Sequence, residues 1–130
     1  MAAGMSEWEE HRKRARQVEA EVDAKLIAFN RLSVSQNGES VSTSLSSELE
    51  GLLMQLSETN EQMGKCVHGL GGGEAARLSH LLQRHRELLH EYEKEFRKIK
   101  SNIKEQRERE DLLHSVRQDI GEYKSAASAR

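Results

Sequence analysis

From Trp8 onward an apolar or small residue returns at every seventh position: Trp8, Ala15, Val22 and Phe29. A period of seven returns a side chain to the same side of an α-helix after two turns, whereas a strand repeats every second residue. His11, Val18 and Leu32 fill most of the offset positions, and Leu26 lies beside Lys25, which interrupts them. The stripe predicts a helix over about 7–33 with one buried side. Ser6 and Glu9 at its head have the spacing of a capping box, in which hydroxyl and carboxylate each satisfy a free backbone N–H.

Two more stripes follow. Leu45, Leu49, Leu52, Leu56, Thr59 and Met63, reinforced by Leu53, predict a helix over about 45–66. Gly51 within it costs helix propensity and is read as a place where another helix comes close. Leu78, Leu82, His85, Leu89, Tyr92, Phe96, Ile99 and Ile103 predict a third helix over about 75–106. Between the first two, residues 33–44 are rich in Ser and Thr around Gln36-Asn37-Gly38. Their side chains compete for backbone hydrogen bonds, so the stretch reads as a loop. His68–Gly73 reads as a flexible glycine joint.

Proline is absent, so no strong breaker interrupts these segments. The hydrophobic content is 35%, and with only one Trp, two Tyr and two Phe the core must be built mainly from aliphatic residues. Three stripes that cannot bury themselves singly predict an all-α, antiparallel up-down-up three-helix bundle over residues 7–106. The third helix outruns the other two. Beyond Ile103 its register lands on Gln106, Glu110, Leu113, Arg117, Ile120 and Lys124, so the stripe is broken there. Residues 107–124 are expected to be a helical extension or linker, with residues 1–6 and 125–130 disordered ends.

Catalysis finds no support in the chain: no nucleophile, base and oxyanion donors can be assembled. Cys66 is the only cysteine, which rules out an internal disulfide and a multi-thiolate metal site. His80, His85 and His90 are spaced by five, splaying over different helix faces, and Glu87-x-x-His90 has no second copy to complete a di-metal centre. Gly69–Gly73 lacks the Lys-Ser or Lys-Thr of a phosphate loop. No catalytic, cofactor or metal site is therefore expected. The net charge of −2 gives no bulk attraction for nucleic acid. No secretory, lipidation or bilayer-spanning signal is visible, and the chain as it stands is expected to be soluble and monomeric.

One charged feature remains. Arg97, Lys98, Lys100 and Lys104 form a basic cluster uninterrupted by acids. It suits contact with anionic lipid headgroups or an acidic partner, although a run of this kind is more often a plain solvated helix face.

Finally, Met1-Ala2-Ala3-Gly4, Trp8-Glu9, Arg12-Lys13 and Ala15-Arg16-Gln17 open the chain. Leu82-Gln83-Arg84-His85-Arg86-Glu87, continuing to Glu91-Tyr92 and Glu95-Phe96, stands in its third helix, and Arg107-Glu108-Arg109-Glu110 is followed by Ser115-Val116-Arg117, Asp119-Ile120 and Tyr123-Lys124. These motifs resemble the N-terminal region of the Golgi SNAP receptor complex member one family of Qb-class Golgi SNAREs. The resemblance spans nearly the whole chain, although the loop over residues 33–44 is shorter than the family's and the joint differs. It implies a regulatory or targeting domain in endoplasmic reticulum-to-Golgi and intra-Golgi vesicle transport and membrane fusion, on the cytosolic face of Golgi membranes. It also implies binding to Golgi SNAREs and to tethering or accessory proteins. The family's SNARE motif and membrane anchor lie beyond the region matched, so entry into a four-helix SNARE complex is expected of the full-length protein alone. A SNARE layer at Gln106 is not expected, because charge recurs downstream of it. Periodicity alone also admits a spectrin-like structural repeat, although the pattern occurs once, not as an array.

Overall fold

A computed structural model describes residues 2–33 and 39–128. It contains three helices, α1 (Ala2–Leu32), α2 (Glu39–His68) and α3 (Gly72–Ser128). Contacts fix their directions. Lys25 of α1 pairs with Glu48 of α2 at 2.8 Å, and Lys100 of α3 with Glu50 of α2 at 3.3 Å. Near the opposite end, Asn60 of α2 reaches the His85 carbonyl of α3 at 3.4 Å, and the His85 ring meets Glu19 of α1 at 2.7 Å. Residue numbers thus fall along α2 as they rise along both neighbours, which makes an antiparallel up-down-up bundle.

The three stripes meet in one core. Trp8, Val22, Phe29, Leu49, Leu56, Met63, Leu78 and Ile99 are fully buried, with Ala15, Leu82, Leu89 and Phe96 among them. Phe29 and Phe96 pack with ring centroids 5.7 Å apart, tilted by 34°. Burying such side chains is what holds three polar-faced helices together.

Within the core seam lies one polar cluster. His85 Nδ1–H donates to Glu19 Oε2 across 2.7 Å, and both side chains are about nine-tenths buried. The Tyr92 hydroxyl donates to the Glu19 carbonyl oxygen at 3.3 Å. Burial first, and the carboxylates of Asp23, Glu19 and Glu91 after it, push the Tyr92 phenol above its ordinary value. A buried donor–acceptor set of this kind penalises helix slippage, since any shift by one turn would leave its members unpaired.

The helix ends differ from the sequence expectation. α1 opens at Ala2, so Ser6 sits inside the helix and does not cap it, and residues 2–6 are not a disordered arm. α2 opens at Glu39, six residues earlier than expected. Glu39 in its first turn favours the positive end of the helix dipole, and Thr43 turns its hydroxyl back onto the Glu39 carbonyl oxygen at 2.9 Å. That bond satisfies the hydroxyl without leaving the helix. The expected loop narrows accordingly, and residues 34–38 fall outside the described ones.

The glycine joint also narrows, to Gly69–Gly71. Gly72, at φ +66°, starts α3 in the left-handed region that glycine enters without steric cost. Leu70 packs against the core and anchors the turn. Gly51 is not a close approach: nothing lies within 4 Å of the position its Cβ would take. Gly64 is the crossing point, where a Cβ would meet Arg86 Nη2 at 3.1 Å and Leu82 Cδ2 at 3.8 Å.

α3 has 57 residues against 31 in α1 and 30 in α2. At 1.5 Å per residue this is about 85 Å against roughly 45 Å. The helix runs through Gly121 and on to Ser128, so residues 125–128 are not a disordered tail. One glycine among strong helix formers weakens a helix without ending it.

Candidate interaction groove

Where α2 begins, it lies against α3 beyond Ile99. On α2, Glu39, Thr43, Ser46 and Glu50 follow one another at steps of four, three and four, and therefore share the side turned toward α3. Facing them, Lys100, Lys104 and Arg107 step along α3 by four and three. The two rows form the walls of an open groove of about 630 Å³ whose floor includes Phe29 and Ile103.

The walls are partly tied together. Lys100 Nζ is 3.3 Å from Glu50 Oε1 and lies over the Phe96 ring at 5.2 Å from its centroid, so its position is set by an acid and an aromatic face together. Arg107 reaches Glu39 only loosely, at 3.9 Å. Lys104 makes no ion pair among the described residues. Ser46 and Ser47 add hydroxyls on the α2 wall, while Glu108 and Asp111 bring negative charge to the far end. The groove thus offers an apolar floor, two under-used cations midway and hydroxyls opposite them. That arrangement suits a docked helix or peptide bearing carboxylates beside apolar residues. Nothing in it activates a nucleophile.

Of the four basic residues singled out in the sequence, the structure brings two together. Lys100 and Lys104 line the groove. Arg97 and Lys98 are exposed and do not line it, and Lys98, two residues before Lys100, faces nearly the opposite side of α3. Arg107, Thr43, Ser46 and Ser47 escaped the sequence reading: Thr43 fell in the expected loop, Arg107 at the start of the expected linker, and Ser46 and Ser47 on the expected second helix outside its apolar stripe. The available signal was the four-three-four spacing of Glu39, Thr43, Ser46 and Glu50.

Of the histidines weighed as ligands, His80 and His90 are exposed and apart from the groove. His85 is committed to Glu19, and no cluster of three or more His, Cys, Asp or Glu side chains able to hold a metal occurs among the described residues. Burial, with a smaller contribution from Glu7, pushes the Cys66 thiol up, which suppresses the reactive thiolate. No described helix is long and apolar enough to cross a membrane.

Comparison with known proteins covers almost the whole of this architecture. Residues 6–124 match the family model described as GOSR1 N-terminal domain. Golgi SNAP receptor complex member 1 of Mus musculus is 39% identical over 153 aligned residues, covering 98% of this chain and 61% of the mouse protein. The Homo sapiens protein of the same name gives the same identity and coverage. Golgi SNAP receptor complex member 1-2 of Arabidopsis thaliana is 32% identical, over 95% of this chain and 59% of the plant protein. The chain therefore spans about three fifths of the length of these relatives. No solved structure matches.

Proposed function

The chain belongs to the GOSR1 N-terminal domain family, and on that premise we propose that it is the regulatory or targeting module of a Golgi SNARE, working in endoplasmic reticulum-to-Golgi and intra-Golgi vesicle transport by binding other proteins. The groove between α2 and α3 is the surface through which it binds. Its occupant is an amphipathic helix with acidic residues flanking an apolar edge, such as a SNARE motif or a segment of a tethering or accessory protein offers. The observation that carries this reading is the placing of Lys104 and Arg107 beside the exposed edge of the apolar floor, opposite a wall of hydroxyls. In the full-length protein the domain faces the cytosol at Golgi membranes, and entry into the four-helix fusion complex belongs to the segment that follows it.

The test is titration of the purified chain with individual Golgi SNARE motifs and tether fragments, read by calorimetry. A real ligand binds the native chain and loses at least tenfold in affinity to the Lys104→Glu/Arg107→Glu variant, equivalent to about 1.4 kcal/mol. Binding should also weaken with added salt. A ligand that binds both forms equally removes the groove from the proposal.

A further inference from the structure

The part of α3 beyond the bundle is not simply an overhanging piece of the core seam. All residues from Asp111 to Ser128 are exposed, and Leu112, Leu113, Val116, Ile120 and Tyr123 are between 46% and 77% exposed. Leu113, Val116, Ile120 and Tyr123 follow at steps of three, four and three, the spacing of a coiled-coil seam. The bundle's own register, carried down from Ile99 and Ile103, passes through Leu113 and Ile120 but alternates them with Arg117 and Lys124, where the stripe has Val116 and Tyr123. Taking Val116 and Tyr123 in place of Arg117 and Lys124, with Leu113 and Ile120 kept, turns the mean direction of the stripe by about 50° around the helix. Lengthening α1 or α2 along their present lines would therefore cover it only in part.

This stripe amounts to an apolar patch on the order of 500 Å², more than the single scattered hydrophobics a solvated helix usually shows. A free-standing helix of about eighteen residues with a glycine in its middle is also marginal in water without a partner. We infer that a second copy of this chain covers the stripe, as an antiparallel pair of α3 extensions.

Three observations favour that occupant. The first is the pattern's self-complementarity. Aligned antiparallel about Gln118, Leu113 meets Tyr123 of the second copy and Val116 meets its Ile120, giving four apolar layers without a charge in the seam. The second concerns charge. The same alignment sets Glu110 beside Lys124 of the second copy, twice by symmetry, and puts Arg109 opposite its Ala127. A parallel pairing would bring the two copies of Arg109 into one layer, against the weaker return of Asp119–Lys124 pairs. Like charges do meet near the twofold axis of the antiparallel pair, Arg117 with Arg117 and Asp119 with Asp119. These lie at the solvated edges, where their repulsion is screened. The third observation is reach. The bundle ends at the Arg107–Glu39 contact, leaving roughly 30 Å of bare helix, so the two bundles stand at opposite ends of the overlap and do not collide.

Two patches of this size bury about 1,000 Å² in all, at the lower edge of specific interfaces. The pair should accordingly be weak, with a dissociation constant in the tens of micromolar. Sedimentation velocity on the purified chain, from about 5 to 500 µM, should show the weight-average mass rising from one copy toward two. The Val116→Asp/Ile120→Asp variant should remain a single copy throughout while keeping the thermal midpoint of the bundle, because both residues are exposed outside it. Orientation is read separately in a Cys66→Ser background. Mixed Val116→Cys and Ile120→Cys chains should oxidise at least fivefold faster to the 116–120 disulfide than to the 116–116 product. A chain that stays single at every concentration overturns the proposal and leaves the stripe to a helix of another protein. Equal association of the aspartate variant places the contact elsewhere, and a dominant 116–116 product overturns the antiparallel arrangement.

Discussion

Removing the Glu19 carboxylate should destabilise the bundle far more than the substitution of a surface acid would. In the native seam Glu19 Oε2 accepts from His85 Nδ1–H at 2.7 Å, with only 10% and 11% of the two side chains exposed. Glu19→Ala leaves the buried imidazole N–H without that acceptor. The loss is one charge-assisted hydrogen bond plus the cost of an unpaired buried donor, together about 2 kcal/mol. His85→Ala should cost a similar amount by stranding the carboxylate. Replacing both with leucine removes the need for pairing and refills the seam, so the double variant should lie within about 1 kcal/mol of the native chain. The leucine double variant should therefore lose far less than the roughly 4 kcal/mol sum of the two alanine losses. Urea unfolding followed by helical circular dichroism at neutral pH measures all four proteins. A Glu19→Ala loss under about 0.5 kcal/mol, or a double variant that loses the sum of the singles, would refute the seam's polar set as a register device.

Leu56→Ala, at a position with no exposure, should cost about 3 kcal/mol in the same assay, while Lys13→Ala on an exposed face should stay within about 0.5 kcal/mol. Gly51→Ala should stabilise α2 by up to about 1 kcal/mol because nothing opposes the added methyl. Gly64→Ala should gain less, since Arg86 must first give way, and thermal melts of the pair should rank them in that order. Cys66 should react slowly with iodoacetamide at neutral pH and speed up only as the pH climbs beyond the ordinary thiol range. The raised thiol and the raised Tyr92 phenol both hold their protons more tightly in the folded chain. Stability is thus intact below their ordinary values and falls as alkali titrates them, which alkaline melts should show. Amides of Asp111–Ser128 should exchange far faster than those of Leu78–Ile103, with trypsin cutting at Arg117 and Lys124 before any site in α2.

The seven-residue repeat made α1 and most of α3 legible, because a long stripe at constant spacing has one physical meaning. Leu78, Leu82, Leu89, Phe96 and Ile99 are buried in the register the spacing gives. The start of α2 was not legible. Serines and threonines weaken helices through hydroxyl competition, and no local pattern announces that Thr43 will bond back to its own helix. The groove suffered for the same reason, since half of its wall lies in that stretch. Lys100 and Lys104 could be picked out as charges, but Lys98 faces away from the second helix, and Arg97, on the same side as Lys104, lies a turn short of the groove. Glu19 with His85 was invisible in principle: the pair is 66 positions apart, and only the packing of α1 on α3 joins them. The apolar face beyond Arg109 was half visible, since the carried register reached Leu113 and Ile120 but alternated them with Arg117 and Lys124 in place of Val116 and Tyr123.

The unbroken backbone of α3 fixes angles as well as distance. Lys100, Lys104 and Arg107 and the stripe from Leu113 to Tyr123 belong to one hydrogen-bonded rod, so their bearings around its axis cannot drift apart. At 100° per residue they face nearly opposite directions. A ligand in the groove and a neighbour on the stripe therefore never contend for the same space. In the antiparallel pair the symmetry places the two grooves about 40 Å apart along the shared axis. A target carrying two acidic helices at that separation would be held by both at once, and its release would require the two to let go together, so weak individual contacts would give slow departure from the pair.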